Sequence, residues 1–459
     1  MQKETDRETA RVSGSASGAA TAELQAAVRH SLDAHVPAGA TVAVALSGGR
    51  DSVVLLDALA AVAPICGNGV AAIHIHHGLS ANADAWAQAC VERCTELRIA
   101  CEVRRVAVAP QSGASLEALA RHARYDALAD VAPRIGAGVV ALAHHRNDQA
   151  ETLLLQLLRG SGPHGLAGMP AWRMAAGIAW WRPLLEVSRA RIDAYARERQ
   201  LQWIDDESNA DGRHARNAVR HSVMPALQRV APQADATLAR AAAHQSDAAR
   251  LLDELAEQDG KDAYDGATLL CHALDALSPH RARNLLRWFL RGQGLPAPST
   301  VRLAAMLDQL RGARGDAETR LAHAGVEIGV YQGRIALHRA PPDRFNVCWR
   351  GETEIALPHG TVTFGRAEGA GIDLTLASGD VHLRSRVGGE RFQVAQDRPR
   401  RALKSVLRDA GIPPWERRGL PLVWCGDALA AVAGLGVDAA LLAAPGRPGL
   451  TVGWHPRRL

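Results

Sequence analysis

The chain has 459 residues, more than one hydrophobic core usually organises, so several domains of roughly 100–200 residues each are expected. A composition of 47% hydrophobic and 22% charged residues excludes wholesale disorder. The 53 basic residues against 48 acidic leave +5, a balance that suits a polyanionic partner without requiring one.

Residues 1–22 carry acids and no apolar core, so they read as a disordered tail and not as a signal peptide. Seven cysteines with no Cys-x-x-Cys pair fit a reducing cytoplasm and give no disulfide framework. The Ala/Gly-rich stretch 428–444 is interrupted by Asp438 and too weakly apolar to span a membrane. From Thr41 short apolar runs alternate with helical stretches. VAVAL (42–46), VAAIHI (70–75), CEVRRVAV (101–108) and VVALAH (139–144) are each followed by a helical pattern. Repeated β-α units with continuous apolar strands predict an α/β fold, a doubly wound parallel sheet covered on both faces. Ligands in such folds sit at the carboxyl ends of the strands, where strand order reverses.

The Gly/Pro-rich stretch 161–170 breaks the alternation, and a further unit runs through Trp203. A helical region follows from about Val219 to Leu310, then a hairpin over 326–339 turning near Gln332-Gly333. From Val381 onward thirteen Arg/Lys face six acids, a net of +7. The expected division is a tail (1–22), a catalytic domain (23–227) and a helical middle domain ending in the hairpin (228–345). A connecting segment (346–380) then leads to a small basic α+β domain (381–459).

Ser47-Gly48-Gly49-Arg50-Asp51-Ser52 lies between a strand and a helix. Two glycines let backbone approach an anion, the helix start presents unpaired N–H groups, and Ser47 and Ser52 add hydroxyls. Asp51 would repel phosphate unless it works through Mg²⁺. The structural alternative is a tight turn with helix capping. No G-x-x-x-x-G-K-[ST] stretch is present, which excludes a Walker-type NTPase.

SGGRDS after an apolar strand resembles the PP-loop of the ATP pyrophosphatases, which split ATP between its α- and β-phosphates. HIHHGLS (74–80), SLEALARHARYDAL (115–128), AHHRNDQAETLLLQLLRGSGPHGLAGM (143–169), RPLLEVSRARIDAY (182–195) and WIDDESNADGRHARNAVRHSVMPAL (203–227) resemble the tRNA(Ile)-lysidine synthase family within that superfamily. The likeness continues in 277–299 and in 383–423, the latter similar to the family's C-terminal tRNA-binding module. The resemblance implies ATP-dependent adenylation of C2 of cytidine 34 in the CAU anticodon of tRNA(Ile). Attack by the lysine amine would then give lysidine, AMP and pyrophosphate. It implies ATP bound by Ser47–Ser52 and Arg121, Mg²⁺ held through Asp51, and a homodimer left open.

The residues read independently agree. If the strands ending at Leu46 and His144 are neighbours, then His144, His145, Asn147, Asp148 and Glu151 stand beside the phosphate loop. Asp148 and Glu151, three apart at a helix start, share one face. A lysine amine is only about 0.1% neutral near pH 7.4, so carboxylates that hold it and take its proton answer a chemical need. The alternative is a capping box. Asp51, Asp148 and Glu151 are therefore the candidate catalytic residues, the last two also binding lysine. Arg121, Arg124 and Tyr125 share a helix face, and the resemblance sends arginines there to ATP or RNA. Arg216, Asn217 and Arg220 match the family's R-N-x-[IV]-R stretch. They are expected to bind tRNA, with Arg391, Arg400, Arg401 and Lys404 in the basic domain supplying phosphate contacts. His74, His76 and His77 alternate across a strand without an acid or cysteine at suitable spacing, which argues against zinc. The family has asparagine where His76 stands.

The rival readings are a PP-loop tRNA thiolase, which calls for reactive or cluster-binding cysteines, and an amidotransferase-type synthetase, which would need an ammonia source. A non-catalytic tRNA-binding protein on the same fold is the third.

Overall fold

The computed structural model describes residues 18–78, 80, 82–107, 116–204, 215–313, 319–340, 343–376 and 380–457. The chain forms two compact units, 1–251 and 252–459. Most of the tail expected over 1–22 lies outside the described residues. Residues 19–22, however, open helix α1 (Ala19–His35), because Leu24, Val28 and Leu32 recur every fourth residue and are each no more than 1% exposed. Burying each such side chain stabilises by about 1.5–3 kcal/mol. Thr21 N–H donates to Glu198 Oε2 at 2.9 Å, which ties the first turn down.

The first unit is built on a six-stranded sheet ordered β3 (Ala100–Arg105), β2 (Gly69–His76), β1 (Thr41–Ala45), β4 (Ala137–Ala141), β6 (Ile178–Trp181) and β5 (Trp172–Ala175). All pairs are parallel except the β5–β6 hairpin at one edge. Val42 and Val44 of β1 point to one face, where α1, α2 (Arg50–Val62), α3 (Ala83–Glu96) and, further along the chain, the helix Arg189–Glu198 close a core. Ala43 points to the other, covered by α4 (Leu116–Arg134) through Ala127, Leu128 and Val131. The chain leaves β1 toward β2 and β3 and later returns to β4 on β1's other side. The β1/β4 boundary is therefore the switch point, as the doubly wound pattern required.

Helix α5 (Arg146–Leu158) follows β4, and the Gly/Pro stretch 161–170 holds only the short α6 (Pro163–Leu166). Helix α7 (Arg189–Glu198) packs its Ile192 and Tyr195 into the first core. Asp57 on α2 is 2% exposed, accepting from Tyr195 Oη at 2.8 Å, Arg199 Nε at 2.9 Å and Arg93 Nη2 at 3.0 Å. That buried carboxylate binds three elements together. The chain then forms α8 (Ala215–Ala218), a π-helical turn (Val219–Val223), α9 (Met224–Val230) and the long α10 (Ala234–Gly260), which continues into the second unit.

In the second unit β7 (Leu269–Leu270), α11 (Cys271–Asp275), α12 (Pro279–Gly292) and α13 (Thr300–Gly312) precede β8 (Arg320–His323), β9 (Val326–Tyr331) and β10 (Arg334–His338). Leu285, Leu286, Phe289 and Leu290 of α12 pack with Leu303 and Leu307 of α13 against Ile328 and Ile335 of the sheet. The β9–β10 hairpin turns where expected. Gln332 and Gly333 both have positive φ, 48° and 73°, the backbone of a type I′ turn.

Residues 346–380, expected as a connecting segment, carry four strands: β11 (Asn346–Cys348), β12 (Glu354–Leu357), β13 (Gly360–Glu368) and β14 (Ile372–Asp373). β13 pairs along its whole length with the C-terminal β21 (Pro448–Pro456), from Gly360↔Pro456 to Glu368↔Pro448. Its hydrogen-bonding partners lie 80 to 96 residues downstream, a relation that no local pattern signals. β15 (Val381–Arg384), β18 (Leu422–Cys425), β19 (Ala428–Val432) and β20 (Gly436–Val437) join β11 in a second sheet. A two-stranded piece, β16 (Arg391–Phe392) with β17 (Arg401–Ala402), adjoins α14 (Leu403–Asp409), and the short α15 (Pro414–Arg417) follows.

Candidate active site

The loop after β1 is shaped by its own hydrogen bonds. Ser52 Oγ donates to Gly49 O at 2.8 Å and receives Ser47 N–H at 3.2 Å, so the turn closes on itself. Gly48 has φ +85°, and a Cβ there would stand 2.8 Å from Ile204 Cδ1 and 3.2 Å from Cys90 Sγ. Conformation and space both demand glycine. Ile204 N–H donates to Gly48 O at 3.0 Å, fastening the loop to the segment after α7. The helix-capping alternative is only half met, since the N-cap of α2 is Gly49 and has no side-chain cap. The first turn of α2 thus keeps N–H groups for an anion.

Arg50, expected to hold ATP, makes an ion pair with Asp193 Oδ1 at 2.7 Å, and its guanidinium carbon lies 5.9 Å from the centre of the Trp203 ring. Asp51 is half-buried, with Arg50 Nε at 3.5 Å and His145 Nε2 at 3.6 Å. Burial would push its carboxyl up, but His145, Arg50 and Arg189 outweigh that and hold it below the usual value. Asp51 Oδ1 is buried and accepts no hydrogen bond, which fits a carboxylate oxygen shaped for a hard cation.

His145 is the element that sequence reasoning left without a role. It is 1% exposed, and its Nδ1 stands 3.6 Å from Asp148 Oδ2 while its Nε2 faces Asp51. One imidazole therefore spans the phosphate loop and the acid pair. The signal was the His-His doublet at the end of a strand beside β1. Its neighbour His144 is pushed down to about 3 by burial, with Arg182, Arg216 and Arg121 adding to the effect and Asp148 opposing it. His144 is a neutral imidazole at neutral pH.

Asp148 and Glu151 face the same side of α5, both buried. The capping reading and the functional one divide the carboxylate: Asp148 Oδ2 accepts His145 N–H at 2.9 Å, while Oδ1 accepts from Arg216 and Arg220. Glu151 plays no cap. Burial favours the neutral Asp148 carboxyl, yet His145, Arg216, His144 and the His145 N–H together hold it at about 2.

Both acids are grasped by arginines. Arg216 donates from Nε to Glu151 Oε2 at 2.9 Å and from Nη2 to Asp148 Oδ1 at 2.8 Å. Arg220 donates from Nε to Glu151 Oε1 at 2.6 Å and from Nη2 to Glu151 Oε2 at 2.9 Å and Asp148 Oδ1 at 3.2 Å. Arg216 and Arg220, four apart on one helical face, meet the acids three apart on α5. Val219 and Met224 dock that face by packing on Ala150, with Leu154 and Leu155 alongside. The π-helical turn at 219–223 belongs to the same segment, a distortion common at functional sites. Asn217 lies in this segment as well.

Arg121 is exposed on α4, its guanidinium 5.1 Å from the Tyr125 ring centre, and its charge reaches His144. Arg391, Arg400, Arg401 and Lys404 belong to the second unit and are largely engaged within it. Arg400 Nη2 donates at 2.6 Å to Asp438, which is 0% exposed. Arg391 Nη2 donates to Arg400 O at 2.7 Å, and Arg401 pairs with Asp409 at 2.8 Å. Lys404 is exposed on α14. His76 does have an acid partner, Asp84 Oδ1 at 3.1 Å on α3, which strand spacing did not reveal. Among the described residues no group of three metal-capable side chains converges, and no helix is long and apolar enough to cross a membrane. All seven cysteines are free, and burial pushes the Cys90 thiol up to about 12, far from a reactive thiolate.

Comparison with known proteins matches three family descriptions in chain order. They are a PP-loop domain over residues 21–227, a TilS substrate binding domain over 269–336 and a TilS substrate C-terminal domain over 381–454. A tRNA(Ile)-lysidine synthase of Nitrosomonas europaea is 40% identical over 439 residues, covering 94% of this chain and 95% of that one. That of Ralstonia nicotianae is 41% identical, covering 90% and 92%. That of Chromobacterium violaceum is 41% identical, covering 90% and 94%.

Proposed function

The chain belongs to the tRNA(Ile)-lysidine synthase family, and from that premise we propose how its own residues carry the reaction. The protein is an ATP-using ligase that makes lysidine at cytidine 34 of tRNA(Ile), releasing AMP and pyrophosphate. The thiolase reading is not favoured. The observation that carries the mechanism is contiguity: Asp51, His145 and Asp148 follow one another at 3.6 Å across the β1/β4 switch point, and Arg216 joins Asp148 to Glu151.

The Ser47–Ser52 turn and the start of α2 receive the phosphates of ATP. Mg²⁺, held through Asp51, would neutralise phosphate charge when bound. The cytidine O2 attacks the α-phosphorus, the bond to the bridging oxygen breaks, and pyrophosphate leaves. Lysine's amine then attacks C2, and the C2–O bond breaks to release AMP. An anticodon-loop base is already outside a duplex, which lowers the cost of presenting it.

Asp148 and Glu151 seat the lysine ammonium. In the ligand-free chain their oxygens are filled by Arg216 and Arg220, so the incoming ammonium replaces guanidinium N–H donors like for like. The released arginines become available to phosphate, for which their planar fork is suited. Asp148 and Glu151 position the amine between them, and this carboxylate pair takes its proton as it attacks. The His145 backbone N–H holds Asp148 Oδ2, and its imidazole, 3.6 Å from Asp148 and from Asp51, lies between the lysine seat and the nucleotide loop.

The test is incorporation of labelled lysine into unmodified tRNA with ATP. Label entering tRNA with AMP and pyrophosphate released in equal amounts is expected. Sulfur-dependent product, or ATP split into ADP and phosphate, would refute the reading.

A further inference from the structure

Helix α3 and the edge strand β3 are joined by a tight turn that leaves two thiols face to face. Arg98 N–H donates to Thr95 O at 3.0 Å and Ile99 N–H to Cys94 O at 2.9 Å, with Arg98 at φ 58°. This paired closure is a left-handed helix cap, and it holds Cys94 and the start of β3 in fixed relation. Cys101, the second residue of β3, pairs with Ala72 of β2, and its side chain packs against the first core, of which Cys94 is part. The Cys94 and Cys101 side chains hydrogen-bond each other. We propose that these two cysteines are an oxidation site, which a small peroxide converts to a disulfide with Cys101 attacking first and Cys94 resolving.

Exposure and hydrogen bonding divide the two roles. Cys94 is 0% exposed, whereas Cys101 is half-buried on an edge strand, so a solute reaches Cys101 first. The Cys94 S–H donates to Cys101 and holds the Cys101 thiol below its ordinary value, against burial and the Glu102 charge. The thiolate is the form that attacks. Its sulfur takes one peroxide oxygen, the O–O bond breaks, and hydroxide leaves, giving a sulfenic acid at Cys101. The Cys94 sulfur then attacks the Cys101 sulfur and gives up its proton, and the S–O bond breaks to release water. Two thiols and one hydrogen peroxide become one disulfide and two waters; the thiols are oxidised and the peroxide is reduced.

The pair lies beside the support of the nucleotide loop. Through Ala72, Cys101 is level with Val44 of β1, close to where β1 enters the loop. Cys90, one turn before Cys94 on α3, has its Sγ 3.2 Å from where a Cβ on Gly48 would stand. Sulfurs in a disulfide are about 2.05 Å apart, closer than in a hydrogen bond. Closing the pair therefore draws the end of α3 toward β3 and shifts the Cys90 packing at Gly48. This consequence rests on the nucleotide reading of the loop.

The full chain is treated with hydrogen peroxide, alkylated with iodoacetamide and cut with trypsin. Cleavage after Arg93, Arg98 and Arg104 puts the two cysteines on separate peptides, 94–98 and 99–104. The expected product is these peptides joined, two hydrogens lighter than their sum, and parted again by dithiothreitol. C94S should give no joined peptide but a Cys101 sulfenic acid that dimedone captures; C101S should give neither. KM for ATP of the oxidised wild type should rise by about three- to tenfold and return on reduction, within the roughly 10²-fold that a displaced positioning element can cost. Both serine variants should keep their KM for ATP through the same treatment. Cys94 and Cys101 both alkylated as free thiols in peroxide-treated wild type, or Cys101 joined to Cys90, would overturn the site. Joined peptides with KM for ATP unmoved would overturn the coupling to the loop. The peptide map is made on wild type, so it decides the matter even where a serine in the core unfolds a variant. A reduced chain that incorporates no lysine would instead refute the ligase reading and leave the map to judge the thiols.

Discussion

Replacing Asp148 by Asn tests the lysine seat with little change in shape. Asparagine keeps an oxygen to accept His145 N–H, whose bond to Asp148 is 2.9 Å, so the start of α5 should survive. What disappears is a charge facing two guanidiniums at 2.8 and 3.2 Å in the ligand-free chain, or the lysine ammonium in the working one. A hydrogen bond to a charged partner contributes about 1.5–3 kcal/mol, which is roughly 10–150-fold in rate or affinity. Glu151 still pairs with both arginines, so the variant should fold. The expected result is a fall of at least tenfold in kcat/KM for lysine, with KM for ATP close to wild type. The carboxyl's depressed value adds a second readout. A group held at about 2 in the folded chain, against 3.8 as its reference, stabilises the fold above pH 3.8 by about 2 kcal/mol. That contribution is lost as pH falls from 3.8 through about 2. The stability gap between wild type and variant should therefore be constant near neutrality and close in that acid window. Lysine kinetics near wild type would remove Asp148 from the seat, and a gap insensitive to acid would refute the ion pairing of its carboxyl in the free chain.

Glu151→Gln should depress kcat more than KM for lysine, by at least tenfold, in the same incorporation assay; an effect on KM alone would assign the proton elsewhere. Gly48→Ala forces a Cβ against Ile204 and Cys90 at positive φ. It should cost about 1–3 kcal/mol in denaturant unfolding and abolish nucleotide binding, whereas unaltered ATP affinity would contradict the loop assignment. Asp57→Ala leaves Arg93, Arg199 and the Tyr195 hydroxyl without their shared acceptor. A loss of roughly 3 kcal/mol is expected from chemical denaturation, with kcat preserved in the folded fraction. Arg400→Gln should destabilise the second unit by about 2 kcal/mol through Asp438, and a tRNA affinity loss without a stability loss would return Arg400 to the RNA surface.

Periodicity and turn chemistry act over a few residues, and that is where sequence reading was sufficient. It was enough for the β-α alternation, the glycine loop after β1, the i, i+3 spacing of Asp148 and Glu151 and the hairpin at Gln332-Gly333. The switch point followed from the same alternation, since a doubly wound sheet leaves few places for β4. Pairing at a distance is different, because nothing local to a charge says which opposite charge it will meet once water is excluded. Asp57 with Tyr195 and Arg199, Asp438 with Arg400, and Arg216 and Arg220 with the two acids each depend on burial created by the rest of the fold. The strands within 346–380 were hidden for a related reason: β13 gains its hydrogen bonds from β21, at the other end of the domain. The order of residues alone determined the fold class, the family and the need for glycine in the loop after β1. Only the tertiary structure decided which acids each buried arginine meets, because desolvation and ion pairing are settled by proximity in space.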